Sequence, residues 1–197
     1  MRRAATVAIL LALGAACGCR TETAPEPGAT EPPPGAAADE VAAPEAAAPP
    51  SKISVTVYFP SASDDKLTGE PREIVETAPP AERGAQILAA LIEGPQTPAG
   101  RPAVPAGTTL RHLWIRDDGT AYADFSEELA KGMSGGTSDE ILTLYAIVDS
   151  LALNVPEIKR VGVLVGGRER DTLGGHVDVR RPLRPDRSLL ATPATKE

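Results

Sequence analysis

The chain has 197 residues, of which 42% are hydrophobic and 24% charged, with one Trp, three Tyr and two Phe and a formal net charge of −7, the size of one modest domain with additional segments. Residues 1–20 carry three arginines and no acid and residues 21–50 carry six acids and no base, so the remaining 147 hold 17 Lys and Arg against 21 Asp and Glu. That nearly neutral body lacks the basic excess that neutralises phosphates, and no nucleic-acid partner is expected; both cysteines, Cys17 and Cys19, lie near the start, so the body has no internal disulfide, thiol nucleophile or cysteine-based zinc site.

Met1-Arg2-Arg3 followed by the apolar run Ala4 to Ala16 has the cationic start and short hydrophobic stretch of an export signal, too short for a bilayer span. Leu13-Gly14-Ala15-Ala16-Cys17 resembles the lipobox of bacterial lipoproteins, although Gly14 stands where a leucine is usual. The resemblance implies cleavage before Cys17, a diacylglycerol on its sulfur, and anchoring through that lipid to the extracytoplasmic face of a bacterial envelope membrane, whether inner, outer or single. Residues 21–50 then hold eight prolines, ten alanines and six acids, with Val41 as their only branched aliphatic. Such a segment cannot bury enough apolar surface to offset chain entropy and predicts an extended, disordered spacer, reaching roughly 90 Å at about 3 Å per residue.

In the body, Ile53, Val55, Val57 and Phe59 alternate with Ser54, Thr56 and Tyr58, the two-residue period of a half-buried strand ending at Pro60. Residues 61–78 read as loop with a short second strand at Ile74-Val75. Pro79-Pro80 opens a helix, predicted over Pro80–Glu93, that Gly94-Pro95 stops. A Pro- and Gly-rich loop leads to strands at Leu110–Ile115 and Ala121–Phe125 around an Asp118-Gly119 turn. Ser126 suggests the cap of a short helix reaching Lys131. Thr137-Ser138-Asp139-Glu140 has the form of a capping box, with Thr137 as cap and Glu140 reaching back, before a helix over Ser138 to Leu153. The β-branched run Ile158 to Val165 makes a further strand, closed by Gly166-Gly167. The βαββαβ order predicts an α+β fold: a small sandwich in which two main helices cover one face of a mostly antiparallel sheet. The layout is a signal peptide over 1–16, the lipid-bearing Cys17 and linker over 17–50, a domain over 51–183 and a tail over 184–197.

The stretch from Ile53 to Leu183 resembles the GerMN domains of sporulation and spore-germination lipoproteins. The resemblance is carried by Val55-Thr56-Val57-Tyr58-Phe59-Pro60, Leu91-Ile92-Glu93-Gly94-Pro95, the run Gly119 to Ser126, the helix Ile141 to Leu151 and the run Val161 to Gly167. It implies a βαββα core similar to ring-building motifs, and a scaffolding or envelope-assembly role with an envelope protein partner or self-association in place of catalysis. One copy is present, so ring formation by tandem domains does not carry over. Asp124, Phe125, Ser126, Gly166 and Gly167 are candidate motif residues, although core filling, capping and edge polarity account for the first three. The polar side of the opening strand, Ser54, Thr56 and Tyr58, is the candidate interaction surface, since one sheet face or edge should stay uncovered.

Gly132-Met133-Ser134-Gly135-Gly136 matches G-x-S-x-G, and His176 with Asp149 or Asp171 could complete a hydrolase triad with Ser134, the alternative reading. The pattern needs a strand running into the turn, whereas a short helix is predicted there. With only His112 and His176 and no zinc-protease spacing, no catalytic residue, metal, cofactor or small-molecule substrate is expected. Arg168, Arg170, Arg180, Arg181, Arg184 and Arg187 make the C-terminal part basic, a solvated face or a site for an anionic polymer.

Overall fold

The computed structural model describes residues 50–192; the export signal, Cys17 and nearly all of the spacer lie outside them. The strands are β1 (Lys52–Pro60), β2 (Leu67–Val75), β3 (Leu110–Ile115), β4 (Thr120–Phe125), β5 (Arg160–Val165) and the two-residue β6 (Arg168–Glu169). The helices are α1 (Pro80–Glu93), the single turn α2 (Glu128–Lys131) and α3 (Thr137–Ala152). None of these helices is long and apolar enough to cross a membrane.

The predicted α+β class and mostly antiparallel pairing hold, but the strands are divided into two sheets. β1 and β2 form an antiparallel ribbon, and β3-β4-β5-β6 form the other sheet, in which β4 and β5 run parallel because α2 and α3 cross between them. β2 is a full strand, longer than the predicted fragment at Ile74-Val75. Its inward positions include Glu70 and Arg72, which break the apolar alternation that marks a half-buried strand.

The core gathers Val55, Val57 and Phe59 of β1, Ile87, Leu88 and Leu91 of α1, Leu144, Ile147 and Leu151 of α3, and Val161, Val163 and Val165 of β5. Gly84 lets α1 approach β3: a Cβ there would stand 2.6 Å from a Leu113 methyl. At the β3–β4 hairpin Gly119 adopts φ +79°, and a Cβ would come within 2.9 Å of the Glu157 carbonyl. Glycine is therefore demanded twice there, by conformation and by space.

The predicted tail continues the domain as far as the described chain runs. Leu189 and Leu190 pack on the core, Ala191 donates its N–H to the Leu67 carbonyl, and Leu183 exchanges hydrogen bonds with Val161.

Candidate functional site

Among the described residues four acids are buried, and each serves the main chain of a distant segment. Glu70 accepts from the N–H groups of Gln96 and Thr97 and pairs with Arg72, which also donates to the Gly94 carbonyl and lies over the Phe59 ring. Burial alone would raise the Glu70 pKa, but these bonds outweigh it and hold the group below its ordinary value. Glu140, fully buried on α3, accepts from the N–H groups of Leu173, Gly174 and His176 at 2.8–2.9 Å and meets His176 Nδ1 at 3.2 Å. Here too burial pushes upward and the ring of N–H donors wins, leaving the pKa lowered. Asp124 accepts from the Gly167 N–H at 2.7 Å, with Arg111 Nε 3.7 Å and His112 Nδ1 3.9 Å away. Asp149 accepts from the Asp186 N–H with Oδ1, while Oδ2 has no partner, and burial raises its pKa to about 6.

The structure brings together part of the predicted motif. Asp124 lies on the inner strand β4, contrary to the expected sheet edge, and its carboxylate holds the turn that Gly166 and Gly167 make at φ +62° and +77°. Phe125 is fully buried, as core filling requires, and its carbonyl accepts from the Gly166 N–H. Ser126 makes no side-chain cap; its hydroxyl accepts from the Thr109 N–H, tying the loop before β3 to the end of β4. The capping box at 137–140 is likewise absent. Gly136 is the cap, and Glu140 turns inward because the 173–176 loop offers it several amide donors.

The opening strand keeps its predicted alternation, with Val55, Val57 and Phe59 buried, Ser54 exposed and Thr56 and Tyr58 half-buried. Its outer edge is not free. The Asn154 amide accepts from Thr56 N–H and donates to the Thr56 carbonyl, and Ser150 Oγ accepts from Tyr58 N–H, so side chains at the end of α3 stand where a neighbouring strand would. The polar face is accessible in part, exposed at Ser54 and half-buried at Thr56 and Tyr58. At its far end Tyr58 helps wall a cavity of about 720 Å³ with Ser61, Leu67, Gly69, Pro98 and Leu190.

The triad elements stay apart in role. Ser134 lies between two helices, α2 and α3, with no strand leading into it. Among the described residues no hydrogen bond joins it to His176, whose Nδ1 faces Glu140; Asp149 serves Asp186, and Asp171 uses its carbonyl for Val179 N–H. Sequence reasoning missed a different feature. Trp114 on β3, 42% exposed, stacks on Tyr122 of β4 with centroids 5.9 Å apart and planes 18° apart. Aromatic residues at alternate positions across the Asp-Gly hairpin were the signal for it.

These features define a small α+β domain whose buried acids fasten its own loops. The family model described as Germane, sporulation and spore germination, matches residues 56–171, and the chain belongs to that family. Among solved structures it is similar to a Clostridium perfringens protein described as a candidate lipoprotein, at 28% identity and a TM-score of 0.50 over 68% of this chain and 87% of that one. It is also similar in fold to the tandem GerMN domains of the sporulation protein GerM from Bacillus subtilis, at 21% identity and a TM-score of 0.52 over 68% of this chain and 45% of that one. No curated protein matches the chain significantly.

Proposed function

We propose that this protein is an exported lipoprotein, anchored through Cys17, whose GerMN-type domain is a non-catalytic protein-binding module in envelope assembly. The observation that carries the non-catalytic reading is the use of buried acids: Glu70, Asp124, Glu140 and Asp149 each accept main-chain N–H bonds from a segment distant in sequence. Groups so engaged brace a scaffold, whereas a general base needs its lone pair free toward a substrate; the one unpartnered oxygen among them, Asp149 Oδ2, is buried out of reach of solvent. The lipobox-like sequence at Cys17 and the similarity to a candidate lipoprotein support the anchor. The face bearing Ser54, Thr56 and Tyr58, running into the cavity at Tyr58, is the proposed docking surface, and its mixed polarity suits a modest, specific contact.

Metabolic labelling with a lipid probe should mark the wild type and not Cys17→Ala; equal labelling would refute the anchor. Capture from envelope extracts by the full-length chain should be weakened by Thr56→Glu and unchanged by Ser134→Ala. Ester or amide turnover by the wild type that disappears in Ser134→Ala would overturn the non-catalytic reading.

A further inference from the structure

On the four-stranded sheet one cross-strand row places the exposed Trp114 beside the half-buried Tyr122 and the buried Gly162, an aromatic shelf with Trp114 at its open end. Trp114 is the register partner of Tyr122, and Tyr122 of Gly162. A Cβ on Gly162 would stand 2.8 Å from two atoms of the Tyr122 ring and 3.7 Å from Pro182, so the missing side chain is what lets the tyrosine lie down across β5. Trp114 stacks on that ring, offset and nearly parallel, and offers its own outer face to solvent. The chain has one Trp and three Tyr, yet it exposes that tryptophan and pairs it with a half-buried tyrosine. Beside the rings is a concavity of about 350 Å³ whose rim includes Arg116 and Glu169, both exposed and neither in an ion pair among the described residues.

We infer that this shelf binds a glycan strand of flat pyranose rings, with equatorial substituents as in β-1,4-linked sugars. Such rings present a face of C–H bonds carrying slight positive charge, the complement of the negative face of an aromatic ring. The rim fits as well: one free guanidinium and one free carboxylate read hydroxyl groups as donor and acceptor, whereas a purely anionic or cationic ligand would meet one of them as a like charge. The size of the concavity falls within the range of small-ligand sites, about 300–1,000 Å³. A protein partner would need about 1,200–2,000 Å² of total buried surface. The apolar part of this face is confined to Trp114, Tyr122, Pro182 and Leu164, the last only 8% exposed.

Trp114 is the chain's only tryptophan, so the intrinsic fluorescence of the full-length protein reads the shelf directly. Chitotetraose or cellotetraose should shift it saturably, and maltotetraose, α-linked and curved, should bind at least about tenfold more weakly. Tyr122→Ala and Gly162→Val, the latter lifting the tyrosine ring, should each weaken binding by about three- to tenfold while circular dichroism stays unchanged, a loss of the size expected for one aromatic stacking contact. The inference is overturned if neither β-linked sugar gives a saturable shift, if maltotetraose binds equally well, or if folded Tyr122→Ala responds as the wild type does. It is also overturned if Trp114 is instead quenched by concentration-dependent self-association.

Discussion

Asp149 is the residue at which burial and charge are most opposed. Its folded pKa of about 6 stands above the ordinary 3.8, so the stability it contributes is complete below about pH 4 and is lost as pH rises through 6. Asp149→Asn keeps an oxygen for the Asp186 N–H and removes the buried charge; it should stabilise the domain at pH 8 by about 1–3 kcal/mol and change little at pH 4, read from urea unfolding at both values. Glu140 has the opposite sign. Its pKa is lowered, so its contribution is present above the ordinary carboxylate value and lost as pH falls through its folded value. Glu140→Gln sets an amide N–H₂ against the N–H donors of the 173–176 loop and should cost about 2–4 kcal/mol at pH 7, with exchange at Leu173, Gly174 and His176 accelerating before the rest of the chain. The Thr-x-x-Glu pattern was legible in sequence but its meaning was not. The donors that claim Glu140 lie more than thirty residues downstream, and a local pattern cannot reveal a non-local competitor.

Among the elements, β1 shows how an edge is closed without another strand. Asn154 satisfies the outward N–H and carbonyl of Thr56, and Ser150 the N–H of Tyr58. Truncating both, as Asn154→Ala with Ser150→Ala, should cost about 1–3 kcal/mol and raise amide exchange at Thr56 and Tyr58 in hydrogen-exchange measurements. α1 offers a second check at Gly84. Alanine normally favours a helix by about 1 kcal/mol. Here its methyl would overlap Leu113, so Gly84→Ala should lower thermal stability instead of raising it. The boundaries of α1 and β3 were readable because proline, glycine and apolar periodicity mark them locally. β2 escaped because the buried Glu70 and Arg72 make its inner face look polar; their burial is compensated by each other and by the 94–97 loop, information that resides in no single stretch of sequence.

For the whole molecule, the α+β class followed from the alternation of elements, while the division into two sheets did not, because it depends on which strand edges the ends of α3 and the C-terminal arm occupy. The alternation of β1, with its polar half as the candidate surface, was legible; the pairing of the exposed Trp114 with the half-buried Tyr122 was not, since two aromatics apart in sequence acquire meaning only once β3, β4 and Gly162 are aligned. The central claim, that the domain works by binding a protein through the β1 face, is tested most directly by photocrosslinking in intact cells from a probe replacing Thr56 in the full-length chain. The account predicts one discrete crosslinked protein, lost when Ser54→Glu is added to a chain that still folds and unaffected by Ser134→Ala. Absence of any discrete crosslink from Thr56, or a crosslink that survives Ser54→Glu unchanged, would contradict it.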